Sequence, residues 1–208
     1  MRIIGGRYKG RVIKLPKGIR PTQDKVRKAL FDILGDIEGL SFLELFAGSG
    51  AIGFEALSRG AAGLTLVEYN RDCLSAIKKN IESLALKAPA LYPQEVQGAI
   101  KALHKEEKKF DIIFLDPPYY KGKAPRHCTL EKIAGSSGSR EEVGESLTKK
   151  TLQILGAYDI LAPNGFVVVQ HFKKDGLPQE SGELRLVKEA RYGDTILSFY
   201  RKVNPKSQ

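Results

Sequence analysis

Ser41 to Ala61 reads SFLELFAGSGAIGFEALSRGA, a short apolar run, a glycine turn and a helical stretch in immediate succession. That order is the opening βα unit of a doubly wound sheet, in which a buried strand hands the chain to a helix lying on one face. Gly48, Gly50 and Gly53 fit the spacing G-x-G-x-x-G. The physical content of that string is close backbone approach. No Cβ blocks a ligand lying across the turn, and free N–H groups at the helix start point toward it.

Working outward, LTLVEYN (Leu64 to Asn70) is the second strand and delivers Glu68 eighteen residues after Gly50, where a carboxylate accepts the hydroxyls of a ribose. Arg71 to Lys87 is an amphipathic helix through Leu74, Ile77, Ile81 and Leu84. Pro93 confines the strand expected between Leu91 and Val96 to a short or edge position. A helix from about Ala99 to Lys109 follows. FDIIFLDPPY, Phe110 to Tyr119, is then a strand buried on both faces that ends at Asp116. Pro117 has no backbone donor and Pro118 restricts it to extended conformations, so the chain leaves the sheet stiffly. A carboxylate, the free Pro117 carbonyl and the Tyr119 ring thus stand at the carboxyl edge of a central strand, where open α/β sheets place their ligands. The set suits an amino group on a flat ring. Asp116 and the Pro117 carbonyl accept its two hydrogens, and Tyr119 offers a stacking surface.

After Tyr120 the chain turns polar and small. Ser139 with Glu142 forms a capping box, and Val143, Leu147, Ile154, Leu155 and Tyr158 continue a helical stripe toward Pro163-Asn164-Gly165. FVVVQHF (Phe166 to Phe172) is another buried strand, and Leu184 to Lys202 reads as an antiparallel hairpin around Tyr192-Gly193-Asp194. The length of 208 residues is enough for a six- or seven-stranded sheet with helices on both faces.

The formal charge of +10 is concentrated at one end: residues 1 to 28 hold ten Lys or Arg against the single acid Asp24. A basic head on a near-neutral body is the electrostatic footprint of a polyanion binder. The alternative is a solubilising tail. Residues 1 to 20 mix Ile3, Ile4, Tyr8, Val12, Ile13 and Leu15 with cations and read as a small β-hairpin or meander. Arg2, Arg7, Lys9, Arg11, Lys14 and Arg20 are the candidate phosphate contacts. A helix then opens with Thr22 as the expected N-cap and runs through Val26, Ala29, Leu30, Ile33 and Leu34 to Gly35. If head and body are separate functions, loss of the head leaves cofactor affinity nearly intact. Cys73 and Cys128 are too few for a disulfide framework, and His104, His127 and His171 have no metal-ligand spacing with them. With no signal-peptide core and no run of about 18 apolar residues, a cytoplasmic protein without a membrane partner is expected.

A glycine turn followed by an acid suits a nicotinamide dehydrogenase, but that reading explains neither Asp-Pro-Pro-Tyr nor the basic head. An S-adenosylmethionine-dependent methyltransferase explains all three. MRIIGGRYKGRVIKLP, RPTQDKVRKALFDIL, ELFAGSGAIGFEALSRGA and FLDPPY, in that order, resemble the RsmD family of 16S rRNA (guanine-N2) methyltransferases. The resemblance implies a class I, Rossmann-like methyltransferase fold: a mostly parallel doubly wound sheet with a C-terminal antiparallel hairpin. Its parts would be a basic β extension over residues 1–20 and a methyltransferase domain over 21–208. It further implies that Glu44, Phe46, Gly48 and Gly50 line the methionine end of S-adenosylmethionine, and that Glu68 holds the ribose. Asp116, Pro117, Pro118 and Tyr119 would hold the target amine. Where relatives contact adenine with an acid or Asn, this chain has Gln97-Gly98-Ala99, which shifts that contact to Gln97, Ala99 or backbone. The implied partner is ribosomal RNA or an assembling small ribosomal subunit, acted on by a monomer. Guanine rests on the resemblance, since Asp-Pro-Pro-Tyr accepts an adenine or cytosine amine equally well. DNA or other RNA amines as target, and a non-catalytic RNA-binding module, remain as alternatives.

Overall fold

The computed structural model describes residues 1–16, 22–87, 89–118 and 140–203, the side chains of 140–146 excepted. Its elements in chain order are α1 (Asp24–Leu34), β1 (Ser41–Leu45), α2 (Ala51–Ser58), β2 (Gly63–Val67), α3 (Arg71–Leu84), β3 (Ala90–Tyr92) and α4 (Val96–Lys105). There follow β4 (Phe110–Leu115), α5 (Arg140–Ala157), β5 (Leu161–Phe172), β6 (Glu180–Ser181), β7 (Leu184–Tyr192) and β8 (Thr195–Lys202). The strands form one sheet in the order β3-β2-β1-β4-β5-β8-β7-β6. From β3 to β5 all neighbours are parallel, and β8, β7 and β6 are added antiparallel. The sequence lines up with this except for β6, a two-residue strand too short to carry any periodicity.

The two-residue period of the strands sorts their side chains into two cores. Phe42, Leu64, Leu66, Ile112, Phe114 and Val168 face α1, α2 and α3 together with Ile3 and Ile13 of the amino-terminal head. Leu43, Leu45, Val67, Ile113, Leu115, Val167 and Val169 face α4 and α5. The central strands are therefore apolar on both faces, which is why IIFL (Ile112 to Leu115) and FVVV (Phe166 to Val169) read as unbroken apolar runs. The β1 and β4 registers are locked at their amino ends, where Asp111 Oδ2 accepts from the Ser41 amide at 2.9 Å and the Ser41 hydroxyl at 2.7 Å.

Several expectations are corrected. The head folds back antiparallel as expected, about the bridge Arg2 to Val12 with Ile3 N–H donating to the Arg11 carbonyl and Ile13 N–H to the Met1 carbonyl, but it forms no regular strand among the described residues. Its other backbone groups bond α2 and α3: Ile4 and Tyr8 donate to the side chains of Glu55 and Ser58, Arg7 N–H donates to the Ser58 carbonyl, and Lys14 N–H donates to Asn80 Oδ1. The N-cap of α1 is Gln23, without a side-chain cap bond, and Thr22 lies one residue outside it. Helix α4 begins at Val96, three residues before the expected start, because Glu95 is already extended enough to cap it. The strand expected from Phe166 starts earlier, at Leu161, and takes Pro163-Asn164-Gly165 within β5, where the register against β4 jumps from Phe110↔Leu161 to Ile112↔Phe166. Ser139 of the expected capping box lies outside the described residues. Among the described residues no helix is long and apolar enough to cross a membrane.

Candidate active site

The register of the parallel strands places the site. Val67, Leu45, Leu115 and Val169 are aligned across β2, β1, β4 and β5. The next residue on each strand is Glu68, Phe46, Asp116 and Gln170. Three strands thus end at one level, beside Gln170 within β5, at the point where α2 and α5, which follow β1 and β4, lie on opposite faces.

At Phe46 the backbone enters the left-handed region with φ 57°, a conformation that costs a non-glycine residue about 1–3 kcal/mol and that clusters at ligand sites. Each glycine after it has its own reason. At Gly48, φ 55°, an added Cβ would meet nothing within 4 Å, so the outer face of the turn is open for a ligand. Gly50 caps α2 in the left-handed conformation, φ 75° and ψ 18°. A Cβ at Gly53 would stand 2.6 Å from Leu64 Cδ1 and 2.8 Å from Glu44 Oε2, so this glycine allows helix, strand and carboxylate to close on one another.

The acids at the strand ends lie close together. Glu44 is 3 % exposed and Oε2 accepts the Gly53 amide at 2.9 Å. Burial pushes its carboxyl from 4.5 up to about 8, and the charges of Asp116 and Glu68 push the same way while the Gly53 and Ile52 amides oppose them. Glu68 is buried too, with Oε2 accepting the Gly48 amide at 2.7 Å and Oε1 accepting the Tyr69 and Asn70 amides at 2.9 and 2.8 Å. Burial raises the Glu68 pKa, against those three amides. Three N–H groups leave about one of the roughly four acceptor positions of a carboxylate. Glu68 therefore has room for one hydroxyl as it stands, and for two if the Gly48 amide is released.

Asp116 is half-buried, and its Oδ2 accepts from Gln170 Nε2 at 2.7 Å and, at the limit of hydrogen bonding, from Thr22 Oγ1 at 3.5 Å. Pro117 is buried and Pro118 half-buried. Tyr119 lies outside the described residues. On α4, Gln97 is half-buried, whereas Ala99 is sealed in the core with its N–H donated to the Glu95 carbonyl. Of the two, Gln97 has the side chain able to reach a ligand.

The cations of the head separate. Arg2, Arg7, Lys9, Arg11 and Lys14 are exposed, and Arg20 lies outside the described residues. The guanidinium groups of Arg7 and Arg11 lie 5.6 and 5.7 Å from the centre of the Tyr8 ring, within cation–π reach. Arg27, part of the same basic run, is fully buried beside Glu55 and bonds Asp24 and the Arg2 carbonyl. Its charge is used in packing.

Gln170, Thr22 and Asn80 are the polar residues that motif reading overlooks. Gln170 interrupts the apolar strand FVVVQHF and Asn80 interrupts the apolar stripe of α3 between Ile77 and Leu84, which is the signal by which each is found. Asn80 is fully buried. Its side chain accepts from the Lys14 amide at 2.8 Å and donates to the Lys14 carbonyl at 3.0 Å and the Ser49 carbonyl at 3.1 Å, joining the head to the glycine turn.

The family described as conserved hypothetical protein 95 matches residues 1–137 and 143–201. A Bacillus subtilis protein named putative rRNA methyltransferase YlbH is 34% identical over 206 residues, covering 97% of this chain and 99% of its own. Ribosomal RNA small subunit methyltransferase D of Escherichia coli is 31% identical over 205 residues, covering 97% and 90%. The chain belongs to this family, the RsmD methyltransferases. The solved structure of an Escherichia coli protein titled putative methyltransferase yhhF superposes with a TM-score of 0.72 at 29% identity over 97% of each chain. The RsmD chain described here has the class I S-adenosylmethionine-dependent methyltransferase fold, its parallel half carrying the glycine turn and its antiparallel strands closing the far edge.

The residues fit an adenosyl cofactor. The open face at Gly48, the strained Phe46 backbone and the remaining acceptor capacity of Glu68 border one another, and Asp116 stands one strand away.

Proposed function

We propose that this RsmD protein transfers a methyl group from S-adenosylmethionine to the exocyclic N2 amine of a guanine in small-subunit ribosomal RNA. The observation that carries the reading is the shared level of Asp116, Phe46 and Glu68 at the ends of adjacent parallel strands, in a chain whose relatives are named rRNA methyltransferases. The resemblance of the motifs to guanine-N2 enzymes supports the choice of base. Glu44, Phe46, Gly48, Gly50, Glu68 and Gln97 hold the cofactor, which when bound supplies an electrophilic sulfonium methyl. Asp116 and the Pro117 carbonyl accept the two amine hydrogens, and Tyr119 stacks on the base.

Those contacts answer the electronic problem of the target. The lone pair of a guanine amine is delocalised into the ring, so the amine is a weak nucleophile. Two hydrogen bonds hold it with the lone pair aimed at the methyl carbon. Effective molarities of about 10⁵ M or more make such alignment worth several kcal/mol. With the cofactor bound, the amine would take the methyl and leave S-adenosylhomocysteine, and the amine, acidified by its new substituent, would lose a proton to Asp116 or to water. Strong general base catalysis is not needed. The exposed cations Arg2, Arg7, Lys9, Arg11 and Lys14, with Arg20, supply phosphate contacts that offset the few kcal/mol of unstacking a target base.

Methyl-tritiated cofactor, small-subunit particles and naked rRNA as substrates, and nucleoside analysis of the digest test this directly. N2-methylguanosine is the expected product. Label in methyladenosine or methylcytidine overturns the choice of base. Asp116→Ala is expected to lower kcat by about 10²-fold or more with little change in RNA affinity, and an Asp116→Ala enzyme of undiminished activity refutes the site.

A further inference from the structure

Gln170 is the β5 residue that follows Val169, the register partner of Leu115, just as Asp116 follows Leu115 on β4. Residues 166, 168 and 170 of β5 share one face of the sheet, as do 112, 114 and 116 of β4, because side chains alternate along a strand. Phe166 and Val168 accordingly lie with Ile112 and Phe114 in the core beneath α1 and α2. The register therefore brings the Gln170 amide beside the Asp116 carboxylate without help from any loop. Gln170 is 6 % exposed, and its Nε2 donates to Asp116 Oδ2 at 2.7 Å. A buried amide opposite a carboxylate is specific in sense, since only its NH2 end offers hydrogens. The segment before α1 brings the Thr22 hydroxyl to the same oxygen, 3.5 Å away.

We infer that Gln170 is a positioning residue for methyl transfer: by donating to Oδ2 it fixes the orientation of the Asp116 carboxylate that meets the amine of the target base. The inference rests on the reading of Asp116 as the amine acceptor. A carboxylate that follows a strand and precedes two prolines has a rigid backbone, but its side chain retains two rotatable bonds. Holding one oxygen from a neighbouring strand removes that freedom before substrate arrives, which is where alignment is gained. Because β5 is a central strand, with β4 on one side and β8 on the other, the donor sits on the stiffest part of the fold rather than on a loop. Thr22 adds a weaker hold and connects the site to the start of α1, next to the basic segment that precedes it.

The test uses the full-length enzyme, rRNA substrate and methyl transfer, with the affinity for S-adenosylhomocysteine measured alongside. Gln170→Met keeps the length of the side chain and removes the donor. It is expected to lower kcat about 10- to 100-fold while leaving cofactor and RNA affinities within about twofold. In an Asp116→Ala background, where no acceptor remains for Gln170, the same change is expected to cost nothing further, because residues acting through one contact are non-additive. Thr22→Val is expected to show a smaller loss of the same kind. If Gln170→Met melts without cooperativity, Gln170→Glu is measured in its place; it preserves shape, sets a second acid against Asp116, and is expected to lose at least as much kcat. A Gln170→Met enzyme with wild-type kcat, or losses that add fully to those of Asp116→Ala, overturns the inference. An Asp116→Ala enzyme that is fully active instead sinks the reading on which it rests, so the two failures are told apart.

Discussion

Glu44 shows how one residue joins fold and site. It is the residue before the last of buried strand β1, and its side chain accepts the amide of Gly53 in the first turn of α2, so the glycine turn is clamped from below. Its carboxyl is pushed up to about 8 in the folded chain from 4.5, so the native state holds a proton that the unfolded chain gives up. The stability linked to that proton is full below pH 4.5 and is lost as pH rises through 8, with a limiting slope of about 1.4 kcal/mol per pH unit. Glu44→Gln keeps an acceptor for Gly53 and has no proton to lose. Thermal unfolding between pH 5 and pH 9 is expected to show a falling Tm for the wild type and a flatter curve for Glu44→Gln. Parallel curves would assign the pH dependence to another group.

At the scale of elements, α3 does more than cover the sheet. Its buried Asn80 satisfies both backbone groups of Lys14 and the carbonyl of Ser49 between the second-last and last residues of the glycine turn. Replacing it with Leu leaves the buried bond to the Ser49 carbonyl and the two part-buried bonds to Lys14 unmade, at about 1–3 kcal/mol for each group that water does not reach. Asn80→Leu is expected to lower Tm by about 5 °C or more and to weaken binding of S-adenosylhomocysteine, measured by calorimetry, because the turn loses its anchor. A variant with wild-type Tm and cofactor affinity would show that α2 alone shapes the turn. The apolar stripe of α3 was legible in the sequence, but the role of Asn80 was not. Its partners are 66 and 31 residues away, and no local pattern encodes them.

On the scale of the whole molecule, the basic head is part of the main core. Ile3 and Ile13 are 2 % and 1 % exposed, and Gly6, φ 71°, lies so close to the Ser58 carbonyl that an added Cβ would be 1.7 Å from it. Deleting residues 1–20 would therefore strip apolar side chains from the sheet, and the expectation that cofactor affinity survives such a deletion is withdrawn. Surface substitution is the suitable probe. Arg7, Lys9 and Lys14 are exposed and can be changed together to Ala without touching the core. Each phosphate contact contributes about 0.7–0.9 to the slope of log K against log salt, so the triple variant is expected to flatten the RNA-binding slope by about two units or more and leave cofactor affinity unchanged. An unchanged slope would mean that these cations serve solubility.

The sequence by itself determined the fold class, the strand ends at which Glu68 and Asp116 stand, and the basic end of the chain. Each is a local property: an apolar run, a glycine spacing, a proline pair or a cluster of charges survives reading one residue after another. Only the tertiary structure decided that Gln170 faces Asp116, that Arg27 is spent on Glu55, and that Asn80 ties the head to the glycine turn. Those pairings depend on the register between parallel strands joined by long crossovers and on which helix covers which face, and packing of the whole chain sets both.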